Sequence, residues 1–424
     1  MPRSPRARRI APSCPLLAAI AVLAASVAAA AEPLNLPDAL ARAAGHDPTR
    51  PAFIARVQAA EAGVSQAAAR PNPSLGVDLE NFAGSGQHGV LDRSEGTLYY
   101  QQTWERGGKR EARTDVARAE LALARGKASV RSLDLLGEVQ TAWVDALAAQ
   151  AAVGVAQERL AEAERLEREV ARRVSAALDP LFAGERARTA VAQARIAHDQ
   201  AVEAARQARA VLAGYWGGAA DFEIDPSPLE QTEVMAPGPP GETPDLAVLA
   251  AERDLAAVRI RLEQTRAVQD PTWRAGVRHF ADGGDVAVIV GGSIPLGRND
   301  TNRGNIERAR AERTAAEADI AAAHIVRQRE TARLTARRSA ALAEVRRIEA
   351  EVLPGAERAV AMVRDGFNRG GGAFTYLEVA EAQRAVAEAR ARRLDLLKAF
   401  HLDGVRLDRL SGRHAPLIAS AEIR

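Results

Sequence analysis

From Arg110 to about Val174 the chain runs without a proline, and apolar residues return at steps of three and four: Leu136, Val139, Trp143, Leu147, Ala151 and Val155. That spacing is the period of an α-helix. Roughly 65 residues rising about 1.5 Å each make a rod near 100 Å long, far beyond an ordinary globular helix. Alanine mixed with charged residues fills this window and leaves little room for glycine or proline, which is the composition of long packed helices. The chain is built for reach.

A second helical tract spans about Asn305 to Phe367, with Ala341, Val345, Ile348 and Val352 on one stripe and an interruption at Pro354 and Gly355, where a bend or break is expected. Each tract ends in a short break followed by a return helix. Residues 176–182, with Pro180, lead into a helix from Ala183 to Leu212. Residues 369–373, with Gly370, Gly371 and Gly372, lead into one from Phe374 to Leu410. Both breaks read as tips of antiparallel helical hairpins.

Four segments carry the strand period of two instead. Leu75, Val77 and Leu79 alternate with Gly76, Asp78 and Glu80; Leu98, Tyr100 and Gln102 with Tyr99 and Gln101; Trp273, Ala275 and Val277 with Arg274, Gly276 and Arg278; Val286, Val288 and Val290 with Asp285, Ala287 and Ile289. At about nine or ten residues each they suit tilted strands across a bilayer. Four strands cannot close a barrel, and an open edge in lipid leaves backbone groups unsatisfied, so other copies must complete the sheet. The number of copies stays open at this point.

The first thirty residues hold Arg3, Arg6, Arg8 and Arg9, the apolar run Leu16 to Val27 and the small residues Ala28 to Ala31, the pattern of a secretory signal peptide. Cys14, the one cysteine, lies before that apolar core, so no disulfide, thiol nucleophile or lipidated cysteine is expected in the mature chain. The order helix, strand, strand, long helix, tip, return helix occurs twice. The expected organisation is a signal peptide at 1–31, a first repeat at 32–216, a Pro/Gly-rich linker at 217–244, a second repeat at 245–412 and a tail at 413–424. ARTAVAQAR at 187–195 superposes on AQRAVAEAR at 382–390. The expected fold is mainly α with a small transmembrane β part.

With 57 basic and 55 acidic side chains and 4% aromatics, nothing points to a nucleic-acid partner. The seven histidines are scattered without ligand spacing, and no nucleotide-binding loop, nucleophile elbow or zinc-protease motif occurs. No cofactor, metal site or enzyme activity is expected.

Several motifs, taken in order, carry a resemblance: RPNPSLG at 70–76, QTWERGGKR at 102–110, IPLGRNDTNRGN at 294–305, GFNRGGGAFTYLEVAEAQR at 366–384, and the stretch Leu407 to Gly412. The chain resembles the TolC outer-membrane efflux family over essentially its whole mature length, closest to the cobalt-zinc-cadmium branch. Thr103 departs from it, standing where that branch has proline. The resemblance implies a homotrimeric channel-tunnel with a twelve-stranded barrel in outer-membrane lipid. It also implies periplasmic helices whose tips dock a periplasmic adaptor bound to an inner-membrane pump, of the RND type, so that the chain is a passive conduit.

The same resemblance aligns Glu378 and Glu381 with paired acids that constrict the periplasmic aperture. It makes Leu178, Asp179, Leu181, Arg369, Gly370, Gly371 and Gly372 the adaptor-docking candidates. Alternation alone puts Asp78, Glu80, Arg274 and Arg278 on the lumen side of the sheet. Trp273, Tyr99, Tyr100 and Trp104 fit an interfacial aromatic girdle. The alternatives are a periplasmic adaptor, which needs many more short strands, and a coiled-coil tether, which needs no bilayer-length strands.

Overall fold

A computed structural model describes residues 33–89, 91–233, 243–297, 301–369 and 374–417. The order is α1 (Leu36–Gly45), α2 (Arg50–Ala67), β1 (Ser74–Glu80), β2 (Glu95–Thr103), α3 (Lys109–Ser175), α4 (Leu181–Gly214), α5 (Pro244–Arg266), β3 (Thr272–Phe280), β4 (Val286–Ser293), α6 (Arg303–Arg347), α7 (Leu353–Arg369) and α8 (Tyr376–Ser411). At 67 residues α3 extends about 100 Å. The expected signal peptide and the glycines at 370–372 lie outside the described residues.

The four strands form one antiparallel sheet in sequence order; among the described residues β1 pairs only with β2 and β4 only with β3, so both edges are open there. At seven to nine residues the strands are somewhat shorter than the alternation predicts. Each second strand must turn sharply into a helix. After β2 the turn uses Gly107 and Gly108, both at positive φ, and a Cβ on Gly107 would stand 2.8 Å from Val268. After β4 the left-handed residue is Asn302, whose side-chain amide donates to the main-chain oxygen of Glu263 at 2.8 Å. Asparagine tolerates this conformation because its short polar side chain bonds locally.

The helices form two hairpins side by side, α3 with α4 and α7 with α8, with α8 also packed along α3 and α6. A core midway along the molecule gathers Leu133, Leu136, Val139, Trp143 and Leu147 of α3 with Ala39 and Leu40 of α1, Leu212 of α4, Val345 and Ile348, and Leu396 and Leu397 of α8. A smaller core near the tips joins Leu166 and Val170 of α3, Ala183 and Ala187 of α4, Phe367 of α7 and Val379 of α8.

Two expectations are refined. Phe222, Ile224 and Leu229, in the segment expected to be a linker, are buried in the central core, so its first half is packed structure. No break occurs at Pro354. Instead Ile348–Val352 form a π-helical turn, with the Leu353 N–H reaching back to the Ile348 oxygen, and the helix continues through Pro354. The wider turn swings Val352 out to 48% exposure and brings Leu353 onto the core stripe. The π turn thus places one extra residue just ahead of Pro354, where a bend or break is expected from the sequence.

Candidate functional site

Strand register sorts the sheet into two unlike faces. Leu75, Val77, Leu79, Leu98, Tyr100, Trp273, Ala275, Val277, Val286, Val288 and Val290 share one face. Its side chains are unusually open: Val288 is 78% and Val290 80% exposed. Such a contiguous apolar surface on a folded chain marks contact with another protein or with lipid. Tyr100 and Trp273 pair on this face with ring centroids 5.6 Å apart.

The opposite face is charged and internally paired. Arg278 bridges Glu80 at 2.8 Å and Glu95 at 2.7 Å and donates to the Thr97 hydroxyl at 3.0 Å. Arg274 lies 3.7 Å from Asp78 and sits over the Tyr99 ring, 5.4 Å from its centroid. The structure therefore brings the four charged residues singled out by alternation onto one face. It adds Glu95, Thr97 and Tyr99, which the same period reaches when it is continued back along β2. Tyr99 belongs to this face and not with Tyr100 and Trp273. Three carboxylates meet two guanidiniums here.

At the first tip α3 ends in a Schellman turn. Leu178 N–H reaches the Arg173 oxygen at 2.9 Å and Ala177 N–H the Val174 oxygen at 3.0 Å, with Ala177 in the left-handed position at φ 57°. Pro180 then caps α4 with extended backbone. Leu178, Leu181 and Phe182 are left exposed, Leu181 at 81%. Asp179 is not presented outward. It is largely buried and accepts from Arg173 Nε at 2.8 Å and Nη2 at 3.0 Å. The same guanidinium donates to the main-chain oxygen of Phe367 and stacks on that ring at 4.2 Å, so Arg173 ties the two hairpins together. Its paired carboxylate holds the Arg173 pKa above its ordinary value. At the second tip Arg369 pairs with Asp365 one turn back.

Glu378 and Glu381 occupy the first turns of α8. Val379 between them is fully buried and fixes the inward side of the helix, leaving both carboxylates in solvent. Glu378 also closes the start of the helix. Its carboxylate accepts from the Thr375 N–H at 2.8 Å and from the Thr375 hydroxyl, while Thr375 Oγ1 accepts from the Leu377 N–H, a capping box. The Thr375 hydroxyl, followed by the backbone amides, draws the Glu378 pKa below the usual carboxylate value. Acids crowded at one aperture raise one another's pKa, and at Glu378 the cap opposes that.

Among the described residues no group of three or more His, Cys, Asp or Glu side chains is placed to hold a metal ion, and no helix is long and apolar enough to cross a membrane.

A sheet open at both edges with one apolar face, continued by helical rods, defines a membrane-embedded channel type of fold. The family model described as outer membrane efflux protein matches residues 39–218 and 241–413, and the chain belongs to that family. The family is one of efflux proteins and not of enzymes, and the chain is an outer-membrane protein whose helical part extends into the periplasm. It is 29% identical over 391 residues, 91% of each chain, to the cobalt-zinc-cadmium resistance protein CzcC of Cupriavidus metallidurans. The fold is similar to that of the outer membrane protein VceC from Vibrio cholerae, with a TM-score of 0.69 over 89% of this chain and 96% of that one at 21% identity. It is also similar to CusC, with a TM-score of 0.73 over 90% and 93% at 16% identity.

Proposed function

We propose that three copies of this chain close a twelve-stranded barrel and a helical tunnel, the outer-membrane duct of a tripartite efflux system through which solute leaves passively. The observation that carries the reading is the sheet: four strands, two open edges, one exposed apolar face and one self-paired charged face. Backbone groups at β1 and β4 need partners in lipid, and a second copy's β4 against β1 supplies them without a free edge. The apolar face then meets lipid, with Tyr100 and Trp273 among the aromatics there. Asp78, Glu80, Arg274 and Arg278 line the lumen. The adaptor and tether alternatives leave that apolar face without a purpose.

Leu178, Leu181 and Phe182 offer an apolar contact at the first tip for a periplasmic adaptor, with Arg369 and Gly370, Gly371 and Gly372 forming the second contact. An inner-membrane pump of the RND type supplies the energy. Glu378 and Glu381, repeated around a threefold axis, place six carboxylates at the periplasmic entrance, which favours cations. The likeness to a cobalt-zinc-cadmium resistance protein supports divalent heavy-metal cations as the exported solute. Planar-bilayer recording tests this. Purified protein under a salt gradient gives discrete conductance steps with a cation-selective reversal potential, and Glu381→Gln moves that potential toward zero. A preparation that is folded and in the bilayer but never conducts contradicts the reading.

A further inference from the structure

Strand side chains ordinarily stand roughly perpendicular to their sheet. Two on the charged face do not. Tyr99 lies across the neighbouring strand β1: a Cβ added to its register partner Gly76 would stand 2.6 Å from the Tyr99 hydroxyl oxygen and 2.8 Å from Cε2. Arg274 lies across β4 in the same way, and a Cβ added to its partner Gly291 would stand 3.1 Å from Arg274 Nε and 3.5 Å from Cγ. The atoms nearest each added Cβ belong to the lying side chain, and none is main chain. Gly276 of β3, on the other side of Tyr99, differs, because an added Cβ there would meet the Tyr99 Cα at 2.8 Å.

Glycine inside a strand weakens it, having no side chain to pack, and marks a place where another group comes close. At Gly76 and Gly291 that group is a large side chain of the same sheet. The Tyr99 ring is bracketed along the wall as well. The Arg274 guanidinium carbon lies 5.4 Å from its centroid, and its hydroxyl reaches Asp78 Oδ1 at 3.5 Å. For a ring lifted off Gly76 the open direction is therefore away from the sheet.

We propose that Gly76 and Gly291 set the size of solute that the barrel passes, each being a floor on which a large side chain lies flat and out of the solute path. The proposal rests on the reading of the charged face as the lumen. Repeated in every copy, the Tyr99 rings and Arg274 guanidiniums then lie against the wall, and a methyl group added at Gly76 turns every ring inward. Covering a strand glycine with an aromatic ring also steadies a sheet. That role alone predicts a less stable barrel in Gly76→Ala and no change in what enters it.

Two measurements on the purified full chain test it. The sequence holds only four tyrosines, so fluorine NMR of the fluorotyrosine-labelled protein resolves Tyr99, assigned through Tyr99→Phe, and a soluble gadolinium chelate reads its exposure. In Gly76→Ala the chelate broadens the Tyr99 signal more than in the native chain, while the signals of Tyr215 and Tyr376 respond as before. In planar bilayers, neutral polyethylene glycols of graded size are added to one side at a time. The largest polymer that enters from the barrel side shifts down by at least one member of the series in Gly76→Ala. Adding Tyr99→Ala to the same chain restores it, because the lifted ring is gone. An unchanged Tyr99 signal, an unchanged polymer limit in a conducting Gly76→Ala channel, or a lowered limit that Tyr99→Ala does not restore overturns the proposal alone. A native chain that is in the bilayer without conducting takes the channel reading down together with it. If Gly76→Ala does not assemble, Gly291→Val decides the question by the same polymer shift, with Arg274→Ala as the restoring change.

Discussion

Arg173 and Phe367 meet twice across the two helical hairpins: the guanidinium donates to the Phe367 main-chain oxygen and lies 4.2 Å from the centroid of its ring. With Asp179 on the other edge of the same guanidinium, one side chain joins the end of α3, the first tip and the end of α7.

Arg173→Ala leaves the buried Asp179 carboxylate and the Phe367 oxygen without their donor. Loss of a hydrogen-bonded charge of this kind costs about 2 kcal/mol. The cost falls on the tips, so amide exchange at 173–181 and 363–369 speeds up by roughly tenfold or more, while the central core around Trp143 exchanges as before.

Ala177 occupies a left-handed position where a Cβ is disfavoured. Ala177→Gly relieves this and raises local stability by about 0.5–1 kcal/mol, after the greater flexibility of glycine in the unfolded chain is set against the gain. Slower proteolytic nicking of the first tip checks it.

The Glu378 carboxylate caps α8 in its ionised form, and its folded pKa is depressed. The cap's contribution is therefore present above the ordinary carboxylate range and is lost as pH falls through the depressed folded value. Protection from amide exchange at residues 376–379, taken relative to the intrinsic rate at each pH, falls on acidification in the native chain. In Glu378→Ala that protection is low at every pH, whereas Glu378→Gln, which keeps a capping-box acceptor, lies between them.

Val288 stands at the centre of β4 on the apolar face and Ala287 beside it on the charged face. Val288→Arg puts a charge toward lipid at about 2–4 kcal/mol near the midplane, and the yield of folded outer-membrane protein falls. Ala287→Arg keeps the yield, because its side chain points to the charged face. Equal losses contradict the assignment of faces.

The sheet is legible in the sequence almost to the residue, because a period of two leaves no freedom in which side chains share a face. Asp78, Glu80, Arg274 and Arg278 follow directly, and Glu95 escapes only because the clear alternation of the second strand begins at Leu98. Long helices and tips are legible from where proline and glycine are absent and where they cluster. The Arg173 tie is not, since one arginine among many on a charged helix gives no signal until the fold brings Phe367 to it. The π turn is equally hidden, because Pro354 suggests a break and nothing local indicates that an extra residue precedes it. Thr375-Tyr376-Leu377-Glu378 does carry the capping-box pattern, but the alignment of Glu378 with an aperture acid points away from it.

The most direct test of the account is the mass of the chain extracted from outer-membrane fractions, by detergent light scattering beside boiled and unboiled gel migration. The account predicts a trimer that survives detergent and separates into single chains on boiling. A monomer recovered in the soluble periplasmic fraction contradicts the barrel and, with it, the channel.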